Sequence, residues 1–156
     1  LALAMALLGA MPAQATVERL DDSASPRARV PAQSTLGGPG GATSQRMALL
    51  RFGAVEYRLA TARYIGRQAR IYYVVPAQVR GLLSPAGLKV DWRGLGSFAS
   101  GSARPGDRSL VWNGVVRTPW MVEALDLTMQ VDLQQLQLPS GVDFGFESYF
   151  EIGTNP

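Results

Sequence analysis

The residue types that do most enzymatic chemistry are missing from this chain. Of its 156 residues none is histidine and none is cysteine. That removes the commonest general base, the commonest metal ligand and the usual pH switch. A serine nucleophile would need lysine as its base. Lys89 is the single lysine, it lies in a strand pattern with no serine at a diagnostic spacing, and no GxSxG occurs. Glu147 and Glu151 fall on one face four residues apart, about 13 Å in an extended chain, too far for either glycosidase geometry. Asp21-Asp22 lacks the D-x-D-x-D-G pattern of a calcium loop. The glycine run 37–41 has no following Lys-Ser/Thr and no preceding strand, so it is not a phosphate loop. The expectation is a protein without catalytic residues, metal or cofactor.

Binding chemistry has better candidates. The middle of the chain interleaves arginine with aromatics: Arg63-Tyr64, Arg67, then Arg70-Ile71-Tyr72-Tyr73. Guanidinium groups beside aromatic faces suit an anionic partner, whether nucleic acid, lipid headgroup or acidic polysaccharide. Three tryptophans invite a sugar-stacking reading. Trp92 and Trp112 sit in strand patterns and are expected in the core. Trp120, after Thr118-Pro119, is the best candidate for an exposed aromatic contact. The candidate contact residues are therefore Trp120, Arg63, Arg67 and Arg70.

The net charge is +3, unevenly distributed. From Arg46 to Arg117 there are twelve basic residues against Glu56, Asp91 and Asp107. From Thr118 onward there are six acids and no base. If these regions become neighbouring strands, cross-strand ion pairs follow.

The elements that must position these groups are mostly strands. Leu1–Met11 is an apolar run too short to span a bilayer. It is followed by Pro12 and Ala13-Gln14-Ala15, a small-x-small cleavage pattern, with Ala13 and Ala15 as its key positions. Residues 1–15 thus read as a bacterial-type signal peptide. Its missing basic n-region points to a truncated start. Residues 16–45 read as a flexible linker rich in Gly and Pro. Residues 46–156 read as the folded domain.

Within that domain Val55, Tyr57 and Leu59 alternate with polar residues, although 44–59 could also form a helix. Residues 69–75 are apolar on both faces, as a central strand is. Leu88, Val90 and Trp92 alternate with charged residues. Gly94–Gly106 reads as a loop, with Pro105-Gly106 as the central pair of a type II turn. Ser109–Val116 reads as a strand kinked at Asn113-Gly114. Leu125–Leu133 and Val142–Ile152 alternate about Pro139-Ser140-Gly141, which predicts a long antiparallel hairpin.

Six or seven strands between Gly/Pro/Ser turns predict an all-β antiparallel sandwich, immunoglobulin-like or jelly-roll-like, behind a flexible N-terminal tail. An outer-membrane barrel also alternates, but irregular strand lengths and the Gly-Thr-Asn-Pro terminus weigh against it. With no cysteine, the fold must rest on packing and sheet hydrogen bonds.

The leading functional expectation is an exported, non-enzymatic protein of the periplasm or cell surface. It would act by protein–protein interaction or self-association, as a subunit or accessory of a surface assembly. The alternative is a binding module for anionic or sugar polymers, including polysaccharide and lipid headgroups. Export argues against nucleic acid, and the mature chain has no expected transmembrane segment.

Overall fold

The computed structural model describes residues 15–26, 33–36, 46–137 and 147–155. Residues 1–14, with the expected cleavage position Ala13, and residues 138–146, with the expected turn at Pro139-Ser140-Gly141, lie outside them.

Nine strands are present among the described residues, more than the six or seven expected. They are β1 (Thr16–Arg19), β2 (Gln33–Leu36), β3 (Met47–Ala60), β4 (Gln68–Val74), β5 (Leu88–Gly94), β6 (Gly101–Ala103), β7 (Arg108–Val115), β8 (Trp120–Asp132) and β9 (Tyr149–Thr154). They form two antiparallel sheets, β1-β9-β4-β7 and β2-β3-β8-β5-β6. The chain is a β-sandwich.

The pairings are nested. β5 pairs with β6, β4 with β7, β3 with β8, and β1 with β9. β9 also pairs with β4, and β8 with β5, which closes the two sheets. The body is therefore one long hairpin, its apex at residues 95–100, wrapped into two layers. This is jelly-roll rather than immunoglobulin topology, with β2 added at the free edge of β3.

Two expectations are corrected by this arrangement. β8 and β9 do not form a hairpin: they lie in opposite sheets. Nor is the segment 16–45 wholly a linker, since β1 pairs with β9 and β2 with β3. Leu20, just after β1, is 1% exposed. It donates its N–H to the Phe150 carbonyl at 2.9 Å, so the packed body begins well before Arg46.

Local chemistry explains the elements. Residues 47–60 are strand, not helix, and a bulge between Arg51 and Gly53 resets the register so that Val55, Tyr57 and Leu59 face inward. β4 is central, paired on both sides. Its partner β7 is irregular at Val111, opposite Ile71/Tyr72, rather than at Asn113-Gly114. The expected 94–106 loop contains β6. At its end Gly106 has φ +90° and Asp107 N–H reaches the Arg104 carbonyl at 2.9 Å, as a type II turn requires.

The core is an aromatic cluster between the sheets. Tyr57 meets Phe150 edge-on at 4.9 Å, Tyr73 meets Phe150 at 5.3 Å, and Trp92 lies against Tyr73 at 4.7 Å. Such pairs add about 0.5–1.5 kcal/mol beyond area burial. Trp92 is 4% exposed and donates Nε1–H to the Ala99 carbonyl, tying the core to the apex loop.

One carboxylate holds that apex. Glu123 is on the inward face of β8 and 7% exposed. It accepts hydrogen bonds from the Ser97 N–H at 3.0 Å, the Ser97 hydroxyl and the Phe98 N–H at 3.4 Å. Gly96 makes room for it, since a Cβ there would collide with the carboxylate.

The uneven charge is resolved by the nesting, which lays the acidic C-terminal third beside the basic middle. Arg93 pairs with Asp126 at 3.2 Å and Arg108 with Glu151 at 2.7 Å. Arg46 grips Asp132 through Nε and Nη2, pinning the start of β3 to the end of β8. The Arg46 bonds hold the Asp132 carboxyl below its ordinary pKa.

Two outcomes follow. Glu123→Ala should destabilise the protein by about 1–3 kcal/mol, because it strips the acceptor from the apex N–H groups. Urea midpoints and amide exchange at 95–100 would show it, and an unchanged midpoint would refute the clamp. Asp132 is depressed in the fold, so its ion pair contributes above the unfolded carboxyl pKa and is lost as pH falls through the lowered native value. Asp132→Asn should therefore lower the urea midpoint near neutral pH, with the deficit shrinking below about pH 4.

Candidate functional site

The loop 61–67 joins β3 to β4 and the loop 116–119 joins β7 to β8, so both cross the same end of the sandwich. They are stitched together. Thr61 N–H donates to the Pro119 carbonyl at 2.8 Å, Gly66 N–H to the Val116 carbonyl at 2.8 Å, and Val116 N–H to the Arg67 carbonyl at 3.0 Å. The Thr61 hydroxyl donates to the Thr118 carbonyl and the Thr118 hydroxyl to the Trp120 carbonyl, each at 2.7 Å. The two loops thus form a fixed platform rather than independent flaps.

This platform carries Arg63, Arg67 and Trp120. Trp120 is 48% exposed at the first position of β8, opposite Ala60, rather than in a loop. Arg67 directly precedes β4 and is exposed. Arg117, which sequence reasoning did not single out, follows the residue bonded to Arg67 and is exposed as well. Arg70 lies farther along β4, on the outer face of its sheet, in a row with Val17, Gly153 and Asn113. Among the described residues Arg67, Arg70 and Arg117 make no ion pair.

Arg63 is placed differently. Its guanidinium lies over the Tyr64 ring and 3.6 Å from Glu18 of β1, and the Tyr64 hydroxyl donates to the same carboxylate at 2.7 Å. Arg63 thus belongs to the β1 edge of the sheet, whereas Arg67 and Arg117 belong to the β7 edge. Asp21 is on the β1 side too, its carbonyl accepting from Ala60 N–H.

Exposed apolar side chains occur near this end on the outer faces of both sheets, as they do elsewhere on the body. Ile65, Val115 and Val122 are 50%, 39% and 55% exposed, and Val122 shares the outer face of β8 with Trp120. The signal for Val115 and Arg117 was their place just before Thr118-Pro119-Trp120.

The remaining candidates are structural. Trp92 is in the core and Trp112 is partly buried against it. Lys89 pairs with Asp91 at 2.9 Å. Glu151 pairs with Arg108 in a layer where the Arg108 guanidinium also covers the Tyr72 ring at 3.9 Å. Glu147 precedes β9 and is exposed. Among the described residues no three acidic side chains gather as a metal site, and no helix is long and apolar enough to cross a membrane.

No known protein family matches the chain. No curated protein and no solved structure matches it either. The class defined here is thus a jelly-roll β-sandwich with a basic, apolar platform at one end.

Trp120 contributes surface, not core. Trp120→Ser should leave the unfolding free energy, measured by urea titration, within about 0.5 kcal/mol of wild type. A larger loss would show that the indole is part of the packing.

Proposed function

We propose that this protein is an exported, non-enzymatic binding module that recognises an anionic partner through the 61–67/116–120 platform. The carrying observation is the placement of exposed Arg67 and Arg117 on two hydrogen-bonded loops, with Trp120 exposed at the start of the strand that follows. Arg70 extends the basic surface along the adjacent face. Unpaired guanidinium groups attract anionic groups, and a fixed platform spares the cost of ordering a loop on binding. The non-enzymatic part of the reading is supported by side chains already engaged in structure. Glu123 holds the apex, Glu151 is paired with Arg108, and Lys89 with Asp91.

Heparin, a sulfated polyanion, is a suitable probe. The full chain should be retained on it and eluted by salt. Removing Arg67 and Arg117 together (R67Q/R117Q) should weaken binding by about 1 kcal/mol per arginine, using the scale for basic residues at an anionic surface. Flow-through at low salt, or retention unchanged in the double variant, would refute the reading.

A second reading, protein–protein interaction in a surface assembly, is favoured by a separate observation. The outer face of the β1-β9-β4-β7 sheet leaves Val17 and Leu110 about half exposed, and β1 and β7 are its edge strands. Light scattering of the full chain that gave a monomer at all concentrations would count against self-association.

A further inference from the structure

The two outer faces of the sandwich carry charge differently. On the β2-β3-β8-β5-β6 sheet the cations are matched where they stand: Arg46 with Asp132, Arg58 with Glu56, Lys89 with Asp91 and Arg93 with Asp126. Arg51, opposite Thr128, is the exception among the described residues.

The β1-β9-β4-β7 sheet is not balanced in this way. Phe150, Ile152, Ile71 and Tyr73 are buried, so the alternate residues of β9 and β4, among them Glu151 and Arg70, face out. Arg19 lies opposite Glu151 and shares that face. Glu151 is already neutralised by Arg108 at 2.7 Å. Arg19 and Arg70 are exposed, and neither makes an ion pair among the described residues.

The uncompensated arginines form a line. Arg67 and Arg117 stand where β4 begins and β7 ends. Arg70 is three residues farther along β4, about 10 Å. Arg19 is one row on and two strands across, about 12 Å more at ordinary strand spacings. On β9 the path passes Gly153, which has no side chain, and Glu151, which is turned to Arg108. A small anion engages one such group. A line of about 20 Å suits a chain that carries negative charge repeatedly.

The rings on this face select the kind of chain. Single-stranded nucleic acid is held by stacking its bases on open aromatic faces. Here the Arg108 guanidinium lies 3.9 Å over the Tyr72 ring and the Arg19 guanidinium 4.7 Å over the Tyr149 ring, so a base would have to displace a cation. A guanidinium resting on a ring keeps its in-plane N–H fork for a carboxylate or sulfate.

We infer that a linear acidic polysaccharide lies obliquely across the outer face of the β1-β9-β4-β7 sheet, from Arg67 and Arg117 over Arg70 to Arg19. The inference rests on the anionic-partner reading above and deepens it by naming the partner's class and its path.

The test titrates the full chain with a heparin tetrasaccharide, a heparin dodecasaccharide and a single-stranded oligonucleotide of equal charge to the dodecasaccharide. Affinity should rise from the tetrasaccharide to the dodecasaccharide. Arg70→Gln and Arg19→Gln should each weaken dodecasaccharide binding about fivefold, the scale for one basic residue at an anionic surface. Arg51→Gln removes the same charge from the opposite sheet and should change nothing. Urea midpoints show that each variant is folded. If the dodecasaccharide binds but Arg70→Gln and Arg19→Gln behave like Arg51→Gln, the path is overturned and the anionic reading stands. Tighter binding of the oligonucleotide would overturn the polysaccharide. If no probe binds, both readings fall.

Discussion

The structure depends on a single folding constraint: the chain must close on itself about residues 95–100. Apart from β2 added on β3, every other pairing is nested outside that turn, ending with β1 on β9. Loop-closure entropy grows only slowly with length, which makes the outer pairings affordable once the inner ones exist. Sequence-distant contacts of this kind place the protein among slowly folding β topologies. The constraint also explains the position of Glu123. Its carboxylate holds the one turn from which the whole roll is wound, and Trp92 ties the same turn to the aromatic core.

The nesting also decides what happens to charge. A chain with a basic middle and an acidic end could have presented two opposed patches. Winding lays β8 and β9 beside β3, β5 and β4, so much of that charge is spent on Arg46–Asp132, Arg93–Asp126 and Arg108–Glu151. Exposed pairs of this kind contribute about 0–1 kcal/mol each and fix register more than stability.

Much of this architecture was legible in the residues. Alternation from Leu125 to Val131 marked the inward face of β8, and the same parity puts Glu123 on that face. The apolar run at 69–75 marked a central strand. Alternation reports which face a residue occupies, not which strand it pairs with, and so two alternating runs about a Pro-Ser-Gly turn looked like a hairpin when the chain in fact changes sheets. β1 was hidden for a related reason. It is a four-residue edge strand whose pattern is set by β9, more than a hundred residues away. At the site, Trp120, Arg63, Arg67 and Arg70 could be picked by type, but only the hydrogen bonds between the two loops separate Arg63, turned toward Glu18, from Arg67, and bring Arg117 in.

The first and last strands of the roll are neighbours, with Thr16 opposite Thr154. This has a mechanical consequence. Tension applied between the two ends of the body acts across the β1–β9 ladder, along its hydrogen bonds, and loads them one rung at a time from Thr16 inward. The molecule would open like a zipper at low force under such a pull. A load entering through one end and leaving through the platform face bypasses that ladder's weakest direction and is shared by both sheets.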